Sequence, residues 1–514
     1  MVARSNTAWD VFSGHLAHGK FVPHARETWW AQGKRLPFRW KHSRAVSKPR
    51  DEQNSNISEH LAGSDEIILK RALELAGDTK FIAVEEGARH RTANVFRENF
   101  GTQHAVIVAD ENTYAAAGKD VEASFARDGQ PQPKRFIFGS HVYADDDCVQ
   151  ELTEVLRALG GIPVAVGSGT VNDLTKVASH LNGRPYMVVG TAASMDGYSA
   201  FGASITKAGS KDTVECPAPR VVLADLEVIA KAPKMMNAWG YGDLLAKVVA
   251  GADWMLADAA GAEAIVPAAW ELVQEPLRSW VGSPDAIAAN EVGALRHLVY
   301  GLLMSGLAMQ ATLSSRPASG AEHQFSHLWD MQHHTYNGVA PSHGFKVGIG
   351  VLASLALQEF LLAMDLKNFD FETAVNAWPS LDKLEVRIRT LFDTEALQRR
   401  AIDETRGKYV SKDVLRTQLM RVQENWPSLQ AKVRDQLFPF AELRDMLRRA
   451  GCPYDPAQIG ISRARLRLSY QQCCFLRRRF TVLDLLQRLD VFDAALDHLF
   501  GPDGHWAASG EAQA

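Results

Sequence analysis

Apolar positions fall into two regimes along this chain, and the change lies near residue 231. From Glu66 onward helical and strand signals alternate. EIILKRALELAG carries apolar residues at helical spacing and ends at Gly77, FIAVEEGA reads as a short strand, and VFRENFG returns to helical spacing. HAVIVAD is a buried-strand run, followed by RFIFG, IPVAVG, YMVVGT and RVVLADL, with helix-like ELTEVLRALGG and VNDLTKVASHLNG between some of them. Such alternation predicts βα units and a largely parallel sheet. After about Lys231 helical spacing dominates, broken by Pro and Gly, which predicts an all-α second half. The boundary is expected between Ala230 and Met236, where strand-like RVVLADLEVI gives way to APKMMNAWGYGDLLAK, with the functional site in the cleft between the halves.

The expected organisation is therefore a disordered or accessory extension over residues 1–63, an α/β nucleotide-binding domain with a parallel sheet over 64–232, an all-helical domain over 233–500 and a flexible tail over 501–514. Nothing before about Ser64 shows sustained periodicity, and an organelle transit peptide or an over-long start are alternatives for that basic stretch. The longest apolar run, Val347 to Met364, contains Gln358 and Glu359 and reads as a buried helix, not a membrane span.

Composition narrows the class. The chain has 514 residues, 46% hydrophobic and 23% charged, enough for more than one folded unit. A formal net charge of -4 implies neither a nucleic-acid nor an anionic-membrane partner. Five cysteines, Cys148, Cys216, Cys452, Cys473 and Cys474, form no CxxC pair and no regular framework, so a reducing cytoplasm is expected and a disulfide scaffold or thiolate zinc site is not.

Candidate chemistry gathers at a few segments. IPVAVGSGTVNDLTK, from Ile162 to Lys176, is an apolar run that breaks at Gly167-Ser168-Gly169 and continues into a helix, the layout of a phosphate cradle. Asp110, at the end of HAVIVAD, suits the hydroxyls of a ribose, and equally a turn or helix cap in ADENT. The acid precedes the Gly turn, and Asn172 stands where a third glycine would fall, so this is not an ordinary dinucleotide fingerprint. TAASMDGYS follows the strand YMVVG and offers Asp196 for substrate positioning, or is a surface loop of turn formers.

Asp243 in GYGDLLAK is expected half buried on a helix beginning near Tyr241. His323 and His327 share a helix face in EHQFSH, and His343 begins HGFKVGIG. One Asp and two or three imidazoles suit Zn²⁺ or another borderline divalent ion, although two polar helix residues fit the His spacing as well. His333 and His334 are further candidates. The Arg477-Arg478-Arg479 run and the Arg463, Arg465, Arg467 alternation read as a solvated helix face or intramolecular ion pairs, with phosphate capture not favoured.

On GSGTVNDLTK, TAASMDGYS, GYGDLLAK, SGAEHQFSH and HGFKVGIG, in that order, the chain resembles the sn-glycerol-1-phosphate dehydrogenases, within the group that includes glycerol dehydrogenase, iron-type alcohol dehydrogenases and dehydroquinate synthase. The resemblance runs from about residue 66 to 500, and IGISRARLRLSYQQCCFLRRRFTVLDL is similar to the helical tail of the bacterial branch. It implies a dehydroquinate synthase-like fold: a Rossmann-like domain, then an all-α metal and substrate domain.

It also implies roles. Gly169, Thr170, Val171, Asn172 and Asp173 would hold the phosphates of NAD(H) or NADP(H), Thr191, Ala192, Ala193 and Ser194 would lie along the cofactor, and Asp110 would take the ribose. Asp243, His323 and His343 would bind one catalytic divalent metal, Zn or Ni, while Asp196 and His327, with Asp243, would meet the substrate. Ala200 stands at a cofactor-binding position where the family commonly has a second serine after DGYS. The implied reaction reduces dihydroxyacetone phosphate to sn-glycerol 1-phosphate, in a cytoplasmic homo-oligomer. Within the same group the alternatives are a dehydrogenase of free polyols or alcohols and a synthase-type lyase. Against the lyase, TAASMDGYSAFG lacks the Gly-Gly-Lys stretch of such synthases. A non-catalytic nucleotide-binding protein is a third class, which candidates at all three metal positions disfavour.

Overall fold

The six apolar runs of the first half become strands, two of the eight in the computed structural model being additional, and the structure describes residues 57–139, 142–207 and 210–507. The eight are β1 Phe81–Glu85, β2 Ala105–Asp110, β3 Lys134–Phe138, β4 Ile162–Gly167, β5 Met187–Gly190, β6 Ala203–Lys207, β7 Ser210–Val214 and β8 Val221–Asp225. The helices interleaved with them are α1 Ile57–Leu75, α2 Thr92–Phe100, α3 Glu111–Thr113, α4 Lys119–Arg127, α5 Asp146–Leu159 and α6 Gly169–Leu181. Contacts divide the chain into Met1–Ile57 and Ser58–Ala514. The expectations for residues 1–56 and 508–514 lie outside the described residues. Helix α1 starts at Ile57, ahead of Ser64, where the weak periodicity of its first turns gave no signal.

Six strands form one parallel sheet in the order β1-β8-β5-β4-β2-β3. Its central strands β4, β5 and β8 are buried along their whole length, because helices cover both faces of such a sheet. One face of β2, Val106 and Val108, packs with Val171, Leu174 and Val177 of α6; the other, Ile107 and Ala109, packs with Val121 and Phe125 of α4. The chain thus leaves β2 and β4 toward opposite faces, and a crevice opens between their carboxyl ends. Asp110 ends β2 and Gly167 ends β4. Since Val108 pairs with Ala165, the register brings these two ends side by side. This explains how an acid that precedes the glycine turn in sequence still flanks it in space.

Beyond β8 the chain is helical, as the pattern predicts, with α7 Leu226–Lys231, α8 Lys234–Ala260, α9 Pro267–Gln274, α10 Leu277–Val281, α11 Pro284–Ala288, α12 Val292–Thr312, α13 Ala321–Met331 and α14 His343–Leu362. Helices α15 to α22 follow as Phe371–Ala377, Leu381–Leu391, Glu395–Lys408, Lys412–Gln436, Phe440–Arg449, Arg463–Cys473, Val482–Arg488 and Phe492–Phe500. Three local expectations are corrected. RVVLADLEVI is a strand only to Asp225, whose side chain accepts from Glu227 N and starts α7. Helix α8 begins at Lys234, not near Tyr241. Residues 203–207 and 210–214 form the antiparallel pair β6–β7, for which the sequence pattern gives no strand. By length and composition α12 and α14 would suit a membrane, but 72% and 83% of their apolar windows are buried, so core packing accounts for their hydrophobicity.

Candidate active site

Close helix approaches assemble the site. A Cβ on Gly344 of α14 would lie 1.9 Å from Trp239 O of α8, and one on Gly350 would lie 2.2 Å from Glu322 O of α13, so α14 seats against both helices at the distances only glycine allows. The contact brings Asp243 of α8, His323 of α13 and His343 at the start of α14 together: one donor atom from each lies within 4.8 Å of the others. The His323 ring centre is 5.3 Å from that of His343 and 6.2 Å from that of His327.

Asp243 is fully buried, not half buried as its sequence context suggests, because the start of α8 at Lys234 carries it inside the helix rather than at its end. Two groups compensate it. Lys247, one helical turn on and also fully buried, places Nζ 3.0 Å from Asp243 Oδ1 and 2.7 Å from Asp196 Oδ2. The Asp196 backbone N–H donates to Asp243 Oδ2 at 3.0 Å. Burial by itself would raise the Asp243 pKa, but the charge of Lys247 and the neighbouring histidines hold it well below the ordinary carboxylate range. Burial and the charge of Asp243 push Asp196 upward, against the pull of Lys247.

His323 is held from behind. Its Nδ1 lies 2.7 Å from Glu322 Oε1, which also accepts from Gly320 N. In the tautomer that donates Nδ1–H to this carboxylate, Nε2 presents a lone pair toward Asp243 Oδ1, 3.5 Å away. Two acceptors facing each other call for a cation between them, either a proton or a metal ion. Burial opposes charge on His323, yet Asp243 and Glu322 together raise its pKa. A buried carboxylate and two imidazoles, one with a carboxylate on its far nitrogen, are the donor set and support that a borderline divalent metal takes. The residues present fit one.

His323 and His343 line a cavity of about 360 Å³ that also touches Gly169, Thr170, Asp173, Met195, Asp196, Ala200, His327 and Arg477, with Asp243 set behind the two imidazoles. The first turn of α6 opens on it. Its N-cap residue Ser168 makes no side-chain cap bond, and the turn carries no acid, so its backbone N–H groups and dipole suit an anion. A Cβ on Gly169 would lie 2.9 Å from Met195 Cε. A dinucleotide's phosphates fit this cradle. A hollow of about 760 Å³ lined by Met255, Trp270, Glu271 and Lys432 lies elsewhere on the helical region and contains none of these groups.

The other sequence candidates divide. Val171 and Asn172 face inward: Val171 packs in the core, and Asn172 Oδ1 accepts from Tyr186 OH at 3.0 Å. Thr191, Ala192, Ala193 and Ser194 are buried beneath the carboxyl end of β5, with Ala193 N donating to Asn237 Oδ1 and Ala192 O accepting from Tyr198 OH. Asp110 Oδ1 accepts from Thr113 N, so the helix-cap use of ADENT is realised; Asp110 does not line the cavity. His334 is turned away, bonded to Ile459 O and Arg465, and His333 is not among the cavity residues.

The basic run is also corrected. Residues 477–479 belong to the connection between α20 and α21, not to a helix face. Arg478 is exposed and pairs with Glu404, while Arg477 and Arg479 turn inward. The Arg463 and Arg467 pairs with Asp455 and Asp497 are the expected intramolecular ion pairs. Sequence reasoning missed Lys247, Glu322 and Lys176. Lys247 is four residues from Asp243 and Glu322 adjoins His323, so helical spacing contained both signals. Lys176 Nζ donates to the carbonyls of Gly197, Ala200 and Gly202, pinning the loop that carries Asp196; nothing local foretells those partners.

A family model described as iron-containing alcohol dehydrogenase matches residues 83–233. A glycerol-1-phosphate dehydrogenase (NAD(P)+) of Halalkalibacterium halodurans is 35% identical over 300 residues, covering 57% of this chain and 74% of the relative. The protein of that name from Bacillus subtilis is 35% identical, over 54% of this chain and 73% of the relative. Its counterpart in Pyrococcus furiosus is 32% identical, over 51% and 73%. Among solved structures, glycerol dehydrogenase from Schizosaccharomyces pombe aligns with a TM-score of 0.52 at 15% identity, covering 82% of this chain and 91% of that one, a likeness of fold.

Proposed function

This chain belongs to the glycerol-1-phosphate dehydrogenase family, and from that premise we propose that it is a metal-dependent enzyme that reversibly reduces dihydroxyacetone phosphate to sn-glycerol 1-phosphate with NAD(P)H. The coarser class is that of its family: an NAD(P)-linked oxidoreductase. The observation that carries this proposal is that Asp243 meets His323 and His343, and that both imidazoles line the cavity into which the α6 N-terminus opens. A cofactor's reactive end and a metal-held ketone would share that space.

In this reading Asp243, His323 and His343 hold one divalent ion, Zn or Ni. When bound, that ion supplies Lewis-acid polarisation of the ketone oxygen. The chain's own groups do the rest. Lys247 keeps Asp243 ionised and ties Asp196 to it, so both carboxylates are fixed before substrate arrives. Glu322 orients His323 through Nδ1. Asp196 and His327 flank the substrate and restrict which carbonyl face is open to hydride. The first-turn N–H groups at Gly169 and Thr170 receive the cofactor phosphates, with Asp173 fixing the cradle through Ser204 N–H, residues 191–194 shaping the floor beneath it and Val171 and Asn172 supporting it from within. Asp110, beside the Gly167 turn, takes the ribose with the oxygen not used by the cap. Ala200 offers the cofactor no hydroxyl.

The same reading makes the protein a cytoplasmic homo-oligomer acting on a small phosphorylated triose. Cys148, Cys216, Cys452, Cys473 and Cys474 are all free thiols in the fold, which agrees with a reducing compartment. The experiment is NADH oxidation by Asp243→Asn and His323→Ala proteins, with metal content and NADH affinity measured alongside. Loss of both metal and turnover with NADH binding retained is expected. Normal metal content in either variant would remove that residue from the proposed ligand set.

A further inference from the structure

Residues 477–479 alternate in and out: Arg478 faces solvent, and Arg477 and Arg479 face the interior beside the cavity. Arg477 Nη2 lies 3.1 Å from His327 Nε2, which in turn neighbours His323 and His343 at ring-centre distances of 6.2 Å and 6.3 Å. Arg479 donates to Ser319 O at 2.8 Å, to Ser319 Oγ, and to Ser315 Oγ at 2.8 Å. Among the described residues neither arginine has a carboxylate partner, although Arg478 between them does.

Two half-buried guanidinium groups with no carboxylate in direct contact are costly, since Glu404, Glu322 and Glu263 act on them only from a distance. Burial lowers the pKa of both, and Arg479, further opposed by Arg477 and Arg316, is pushed down to about 9. An anion bound at this place would relieve that cost. Arg477 lines the cavity, as do Ser315 and Ser319. Ser315 Oγ accepts from Arg479 and so keeps its hydroxyl hydrogen for a ligand. The first turn of α6, which the proposed function gives to the cofactor phosphates, opens on the same cavity, while Arg477 lies across it beside the histidine cluster.

We propose that Arg477, with Ser315 and backed by Arg479, binds the phosphate of a phosphorylated three-carbon ketone and so makes the enzyme select the ester over the free ketone. This rests on the reading that dihydroxyacetone phosphate is the substrate. Arg477 is the binding residue, its fork matching two phosphate oxygens. Arg479 is a positioning residue, acting through the two serines.

The test compares kcat/KM for dihydroxyacetone phosphate with that for dihydroxyacetone in the metal-loaded enzyme and in its R477Q, R477K and R478Q variants, with NADH affinity followed by fluorescence. The ratio of the two kcat/KM values is expected to fall about 10- to 100-fold in R477Q, as for loss of a charge-assisted hydrogen bond, to fall less in R477K and to stay unchanged in R478Q. NADH affinity should match the unmodified enzyme throughout. If R477Q does not fold, R477K and R479Q carry the same ratio. An unchanged ratio in R477Q, in an enzyme that prefers the ester, overturns this subsite and leaves the substrate reading standing. Weakened NADH binding with the ratio unchanged overturns it by assigning Arg477 to the dinucleotide. An unmodified enzyme that prefers the free ketone removes the substrate reading and the subsite together.

Discussion

Replacing Lys247 by Met keeps most of the aliphatic stem and deletes the ammonium that lies 2.7 Å from Asp196 and 3.0 Å from Asp243. Lys247 and Asp243 are fully buried, so water cannot take over the lost charge. Removing one partner from such a buried arrangement costs about 3–5 kcal/mol, mostly because the remaining carboxylates are left uncompensated. A divalent ion on Asp243 would restore positive charge at the same place. The variant should therefore be less destabilised when loaded with metal than when stripped. Thermodynamic linkage then fixes a second number: if the penalty is about 4 kcal/mol stripped and about 2 kcal/mol loaded, the variant binds metal roughly thirtyfold more tightly than the unmodified chain. Urea unfolding followed by tryptophan fluorescence at pH 8, with and without Zn²⁺, gives the penalties, and chelator competition gives the affinity. An equal penalty in both states together with unchanged affinity would refute the reasoning, because it would mean that no cation sits on Asp243.

Four further outcomes follow from the same geometry. Glu322→Gln removes the anionic acceptor from His323 Nδ1 and should weaken metal binding by about 10- to 100-fold, read by chelator competition. Gly320→Ala would set a Cβ 2.5 Å from Asp253 Oδ2 and 2.9 Å from Glu322 Oε2, so the urea midpoint should drop by the equivalent of about 1–3 kcal/mol. Asp110→Ala loses the cap on Thr113 N, costing about 1 kcal/mol, and should weaken NADH more than NADPH if the carboxylate also meets the ribose; equal changes in the two dissociation constants would limit Asp110 to capping. The raised pKa of His323 in the metal-free site means that its share of stability is full below about pH 6.5 and is lost as pH rises through the folded value; the stripped protein should show that loss and the loaded one should not.

What the sequence displayed was local. The continuous apolar runs located β4, β5 and β8 because strands covered on both faces need no alternation, and helical spacing put His323 and His327 on one helix. The β6–β7 pair escaped notice because ASITK and SKDTV mix polar and apolar residues across a two-residue connection without a strong turn signal. Its local role is to give Ser204, whose N–H donates to Asp173 at the cradle. Arg477 looked like part of a charge run because its neighbour His327 lies 150 residues away, and no periodicity carries that information. Asp243 lies deeper than its context suggests for the opposite reason: the motif is visible, but α8 starts at Lys234, upstream of Tyr241, and carries Asp243 into the helix interior.

The configuration of the product is the sharpest test of the proposed reaction. Metal-loaded enzyme supplied with NADH and dihydroxyacetone phosphate should form glycerol phosphate whose chiral analysis shows the sn-1 enantiomer alone. Formation of the sn-3 enantiomer or of a racemate, or no oxidation of NADH by the loaded protein, would contradict it.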